Sequence, residues 1–214
     1  MAVALTSLDD AQLVELILQG AVGVLPTDTV YGLVCAAGNE AAVHRLYALK
    51  SRESKPGTVI AASIDQLTGL GIPRRYLTAV EQFWPNPLSI VIPCGKELAY
   101  LHQGKSSLAI RISSDTATAT LLQKTGPLLT TSANQPGEVP AENIEQAKEY
   151  FGDTVDFYVD GGELSGRPPS TIIRIVDDAV EVLRKGALDI DENGRITNGS
   201  VRYCTPIYRS FRAD

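Results

Sequence analysis

Short apolar runs that end in hydroxyl-bearing, glycine or proline residues recur along this chain, and stretches with helical spacing fit between several of them. That alternation constrains the fold more than any other feature of the sequence. Ala21-Val22-Gly23-Val24-Leu25-Pro26 suits a buried strand, and it runs into the polar turn Thr27-Asp28-Thr29 and a second β-like stretch through Val34. Further strands are expected at 58–62, 88–92, 107–112, 127–131 and 155–159, with a hairpin at 171–176 and 180–184. A first helix is expected over roughly 8–19, where Ser7 and Asp10 resemble a capping arrangement ahead of Leu13, Val14, Ile17 and Leu18. Asn39 can cap a second, with Ala42, Val43, Leu46 and Leu49 as its apolar face, and others fit near 74–84, 115–125 and 143–151. The expected class is α/β (α+β), a twisted, open, mixed sheet with flanking helices.

Charge and cysteine usage narrow the function. Of 214 residues, 19 are Lys or Arg and 25 are Asp or Glu, a formal net charge of −6, so bulk positive charge does not make this chain a nucleic-acid binder. Any phosphate binding must be local. Cys35, Cys94 and Cys204 lie far apart in no CxxC pair, which argues against a disulfide framework or a structural zinc site, and no metal ligands are assigned. With only His44 and His102, a histidine-based triad is poorly supported. No run approaches the roughly 18 apolar residues of a membrane span, and no basic region precedes an apolar stretch at the start, so the cytoplasm is the expected location.

Several segments could carry chemistry. Gly104-Lys105-Ser106 resembles the end of a P-loop, but the glycine that pattern needs is replaced by Ala99, and a strand pattern follows in place of a helix. Lys50-Ser51-Arg52, with Lys55 and Arg45 near, concentrates positive charge at a helix end. It reads either as a solvated helix terminus or as a loop that clamps phosphate or carboxylate oxygens. Thr130-Thr131-Ser132-Ala133-Asn134 follows an apolar run, as a turn would, or as a ligand site at the end of a strand would. Arg111 inside an apolar strand needs a partner or a ligand.

In order, Pro26-Thr27-Asp28-Thr29-Val30-Tyr31-Gly32-Leu33, Lys50-Ser51-Arg52, Ser107-Leu108-Ala109-Ile110-Arg111, Ser132-Ala133-Asn134, Pro169-Ser170-Thr171-Ile172 and Leu183-Arg184-Lys185-Gly186 resemble the motif set of the YrdC-like family. Its best-known members are threonylcarbamoyl-AMP synthases. The resemblance spans residues 8–187 and leaves 188–214 as a basic appendage or tail. It implies a fold with a concave basic cavity, and a reaction that joins L-threonine, bicarbonate and ATP, the last with Mg2+, into L-threonylcarbamoyladenylate with release of pyrophosphate. The product would pass to a downstream tRNA threonylcarbamoyl transferase machinery acting on adenosine 37.

By position, the resemblance puts Thr27, Arg111, Thr130 and Ser170 at the threonine. It puts Lys50, Arg52, Ser54, Ser107, Ser132, Asn134, Pro140 and Arg184 at ATP, with Lys50 and Arg52 as the catalytic cations in an exposed loop. Two alternatives stand beside it. One is a YciO-like paralogue with weak or different activity, favoured by Glu53 next to the cationic pair. The other is a double-stranded RNA or tRNA-binding module, favoured by the arginines of the tail and opposed by the net charge.

Overall fold

The computed structural model describes residues 1–51, 55–177 and 179–198. Most of its helices start where a short polar side chain can accept a backbone N–H that the first turn leaves unpaired. Asp10 caps α1 (Ala11–Leu18) and Asn39 caps α2 (Glu40–Leu49). Ser63 caps α3 (Ile64–Gly69), whereas α4 (Arg74–Val80) and α5 (Ala99–His102) begin without a side-chain cap. Asp115 caps α6 (Thr116–Thr125) and Asn143 caps α7 (Ile144–Phe151). Helix α1 begins later than its sequence pattern suggested, because Ser7 Oγ accepts from the Asp9 N–H and the capping position falls to Asp10. Among the described residues, no helix is long and apolar enough to cross a membrane.

Ten strands form one mixed sheet: β1 (Val3–Leu5), β2 (Gly23–Pro26), β3 (Tyr31–Ala36), β4 (Thr58–Ala61), β5 (Leu88–Pro93), β6 (Ser107–Ile112), β7 (Leu128–Ser132), β8 (Phe157–Val159), β9 (Thr171–Val176) and β10 (Ala179–Arg184). Their order is β1-β8-β2-β3-β7-β4-β6-β5-β9-β10, with β1/β8, β2/β8, β4/β6 and β5/β9 parallel and the other pairs antiparallel. The short β1 carries too few residues to show periodicity, and it gains its place by pairing with β8. The segment expected as a helix over 74–84 changes to a 3-10 turn after Val80. Beyond Gly186, β11 (Asp189–Ile190) and β12 (Ile196–Asn198) form a small hairpin, and Leu188, Ile190 and Ile196 pack against the main core.

The register explains where the site lies. Leu129, Val59, Ile110, Ile90 and Ile173 are successive cross-strand partners from β7 to β9, and all five are buried in the larger core cluster with residues of α2, α4 and α7. Fully burying such a side chain contributes about 1.5–3 kcal/mol. The opposite face behaves differently along its length. Leu128 and Ile60 are covered there by Leu13 and Ile17 of α1 and by Leu121 and Leu122 of α6. One step along the same strands, the partners are Thr130, Thr58 and Ala109, small or hydroxyl-bearing residues that open onto a recess. Because side chains alternate with period two, the apolar side is committed to the core while this row is left to a ligand.

Candidate functional site

The recess on that face has a volume of about 250 Å³. Thr27 and Thr29 from the β2–β3 turn, Thr130 and Ser132 of β7, Arg111 of β6 and Ser170 ahead of β9 contribute polar groups to its lining. A second recess of about 750 Å³ adjoins it across Lys55 and is lined by Tyr47, Lys50, Ser51, Asn134 and Pro136. Its volume lies within the roughly 300–1,000 Å³ usual for small-molecule sites. Among the described residues, the linings hold Lys50, Lys55, Arg111 and Arg184 and no carboxylate, so a chain with net charge −6 presents a locally cationic site.

Arg111 is buried at 3% exposure. Its Nη2 donates to Asp28 Oδ1 at 2.8 Å and its Nη1 to Ser89 Oγ at 3.4 Å, whereas Nε has no hydrogen-bond partner. Burial pushes the guanidinium below its ordinary value, and the charge and hydrogen bond of Asp28 oppose that. An arginine keeps its proton in a protein interior, so the group remains a planar cation with an unused N–H donor. Ser89 Oγ and Ser170 Oγ lie 3.0 Å apart, and Arg184 donates to both the carbonyl and the hydroxyl of Ser170. Gly186 lets this segment close up: a Cβ there would meet the Pro169 carbonyl oxygen and the Ser170 carbonyl carbon.

Lys50 follows α2, where Ser51 turns left-handed at φ 46° and stops the helix. It is only 2% exposed, and its Nζ donates to Ser132 O, Asn134 O and Asn134 Oδ1. The expectation of a solvated lysine in an exposed loop is therefore wrong: the cation is built into the exit of β7. Asn134 in turn donates through Nδ2 to Gln135 O and Glu138 O, which fixes the turn beyond the strand.

Thr27, Arg111, Thr130, Ser132, Ser170 and Arg184 thus line the smaller recess together, and Lys50 and Asn134 line the larger one. Ser107 and Pro140 line neither, although Ser107 shares a face of β6 with Ala109 and Arg111, on the far side of Ala109. Arg52, Ser54 and Glu53 lie outside the described residues, as do Cys204 and the tail aromatics and arginines after Asn198. The sequence reading gave no role to Asp28, Ser89 or Gly32. The available signals were a carboxylate within the Thr27-Asp28-Thr29 turn, a serine interrupting Leu88-Ser89-Ile90-Val91-Ile92, and a glycine inside a strand pattern.

The model of the Sua5/YciO/YrdC family, described as telomere recombination, matches residues 15–186. The chain belongs to this family. Two relatives named threonylcarbamoyl-AMP synthase, from Marinobacter nauticus and Pseudomonas aeruginosa, are each 36% identical to it, over 168 and 164 residues. These matches cover 76% and 75% of this chain and 88% of each relative. Among solved structures of the family, P. abyssi Sua5 complexed with L-threonine superposes with a TM-score of 0.76 at 26% identity, covering 88% of this chain and 58% of that one. This chain therefore spans less than two thirds of the Sua5 length. Escherichia coli YciO superposes with a TM-score of 0.73 at 24% identity, over 88% of this chain and 97% of that chain, a likeness of fold. The expected mixed sheet with flanking helices is the family fold.

Proposed function

We propose that this chain is a threonylcarbamoyl-AMP synthase, a nucleotidyltransferase that converts L-threonine, bicarbonate and ATP into threonylcarbamoyl-AMP, pyrophosphate and water. The observation that carries the reading is the buried Arg111 guanidinium, held by Asp28 with its Nε unpaired, in a recess lined by threonine and serine hydroxyls. A planar cation suits the carboxylate of an amino acid, and the hydroxyls of Thr27, Thr130 and Ser170 suit its ammonium and side-chain hydroxyl.

The chemistry needs no protein nucleophile. The ammonium of threonine gives a proton to solvent, the resulting amine attacks the carbon of bicarbonate to give a carbamate and water, and a carbamate oxygen then attacks the α-phosphorus of ATP as pyrophosphate leaves. Both partners are anionic, so the work of the protein is alignment and neutralisation. Arg111 fixes the amino acid, with Arg184 in the same recess, while Lys50 and Lys55 set positive charge around the adjoining recess where the nucleotide belongs. Lys50 exchanges one of its protein acceptors for a phosphate oxygen, and Arg52 joins it. Ser54, Ser132 and Asn134 add nucleotide contacts, and a nucleotide that meets Ser107 and Pro140 must extend beyond the two recesses, whose linings include neither. Magnesium comes in with ATP as part of that substrate, neutralising phosphate charge. The product passes to the tRNA threonylcarbamoyl transferase machinery, which makes the cytoplasm the expected place of action.

Pyrophosphate release from MgATP by the purified chain tests the reading. Release that needs both L-threonine and bicarbonate supports it. Binding of ATP and threonine without release would replace it with a YciO-like paralogue that keeps the cavity without the reaction, and salt-sensitive RNA binding without turnover would replace it with an RNA-binding module.

A further inference from the structure

Asp28 is buried against the site but does not line the recess: its side chain is 3% exposed, and its neighbours Thr27 and Thr29 reach the cavity wall. It belongs to the turn between β2 and β3, which is tightened by Thr27 Oγ1 donating to Val30 O and accepting from the Thr29 N–H. In the sheet, β7 and β4 stand between β3 and β6, yet Asp28 reaches across them to Arg111 on β6. The bridge therefore pins the turn over the sheet and, in the same contact, holds one arm of the guanidinium.

We infer that Asp28 is a positioning residue that acts through Arg111, fixing the rotation of the guanidinium so that its remaining N–H donors can meet the carboxylate of the amino acid substrate. This rests on the functional reading above. An arginine side chain has many rotamers, and a planar fork recognises a carboxylate only when its plane is fixed. Here two grips define that plane, Asp28 on Nη2 and Ser89 on Nη1; they use two of the five N–H donors, and Nε is the nitrogen with no partner at all. The strong grip is the charged one, at 2.8 Å against 3.4 Å for Ser89. The carboxylate also offsets the buried cation, whose side chain is 4% exposed.

The test uses the full chain in three forms: wild type, Asp28→Ala and Asp28→Asn. The asparagine keeps an acceptor oxygen and the side-chain shape but loses the charge, so it serves where the alanine form fails to fold. KM for threonine should rise by roughly tenfold or more in Asp28→Ala and by less in Asp28→Asn, while KM for ATP stays within about twofold of wild type. A merely structural role would shift both KM values together. Independently of turnover, the Arg111 Nε–H should give a slowly exchanging arginine side-chain NMR signal, assigned by its loss in Arg111→Lys, that broadens or vanishes in Asp28→Ala. Unchanged threonine KM in folded variants, or an Nε–H signal that persists unaltered without Asp28, overturns the proposal. Wild type without threonine-dependent pyrophosphate release would defeat the functional reading instead, and the NMR signal would then decide the positioning role by itself.

Discussion

Lys50 Nζ reaches both oxygens of Asn134, the main-chain carbonyl at 2.5 Å and the side-chain Oδ1 at 2.9 Å. The residue after α2 is thereby tied to the turn after β7, and the wall of the larger recess is one hydrogen-bonded unit. Lys50→Ala removes a charge from the site and takes the lysine donor from the Asn134 carbonyl, while the Ser132 carbonyl keeps the Asn134 N–H. It should abolish most activity and destabilise the fold by about 1–3 kcal/mol. Pyrophosphate release and the denaturant midpoint check the two halves separately, and a midpoint equal to wild type would contradict the structural half.

Ser132 acts on the same unit from the other side, its Oγ donating to Asn134 Oδ1 at 2.6 Å. Removing this one hydrogen bond in Ser132→Ala should cost about 0.5–1.5 kcal/mol, up to roughly tenfold in kcat/KM for ATP. Steady-state kinetics at varied ATP measure it, and wild-type constants would take Ser132 out of the site.

Gly32 sits on β3 where a Cβ would lie 2.5 Å from Thr130 Oγ1 and 3.2 Å from Thr27 Cγ2. Gly32→Ala must displace two hydroxyl-bearing residues of the smaller recess at once. Threonine KM should rise more than ATP KM, by roughly tenfold if the shift costs about 1.4 kcal/mol. Equal changes in the two would show that the two recesses are not divided between the substrates in this way.

Asp156 governs part of the acid response. Burial raises its carboxyl, but hydrogen bonds from Arg45 and the Val22 N–H and the charge of Arg45 outweigh that and hold it below the ordinary 3.8. A depressed folded value means that its contribution is fully present above about pH 3.8 and disappears as pH falls through the folded value. Thermal melts of Asp156→Asn should therefore converge with those of wild type toward low pH and fall below them near neutrality. A constant difference at every pH would contradict the linkage. The half-exposed partner Arg45 keeps the effect small.

The alternation of strands and helices was legible because β4, β5 and β6 each have one purely apolar face, as Val59, Ile90 and Ile110 show, and because Asn39, Asp115 and Asn143 are strong caps at clear boundaries. Elements of a few residues, such as β1 and α5, show too little periodicity to be read and owe their conformation to neighbours. Of the residues that line the smaller recess, Thr27, Arg111, Thr130, Ser132, Ser170 and Arg184 were named from the sequence through a family resemblance. Their supports were not, because Asp28 and Ser89 act by reaching across strands that only the sheet order brings together. Lys50 was misjudged for the same reason: local sequence shows a basic helix end, and its burial depends on the distant turn after β7.

The most direct measurement is the mass of the adenylate formed from MgATP, L-threonine and isotopically labelled bicarbonate. The account predicts a product with the mass of threonylcarbamoyl-AMP that carries the bicarbonate label, forms only when threonine is present, and is lost in Arg111→Lys. Pyrophosphate release without a labelled adenylate, or a labelled product formed equally well by Arg111→Lys, would contradict it.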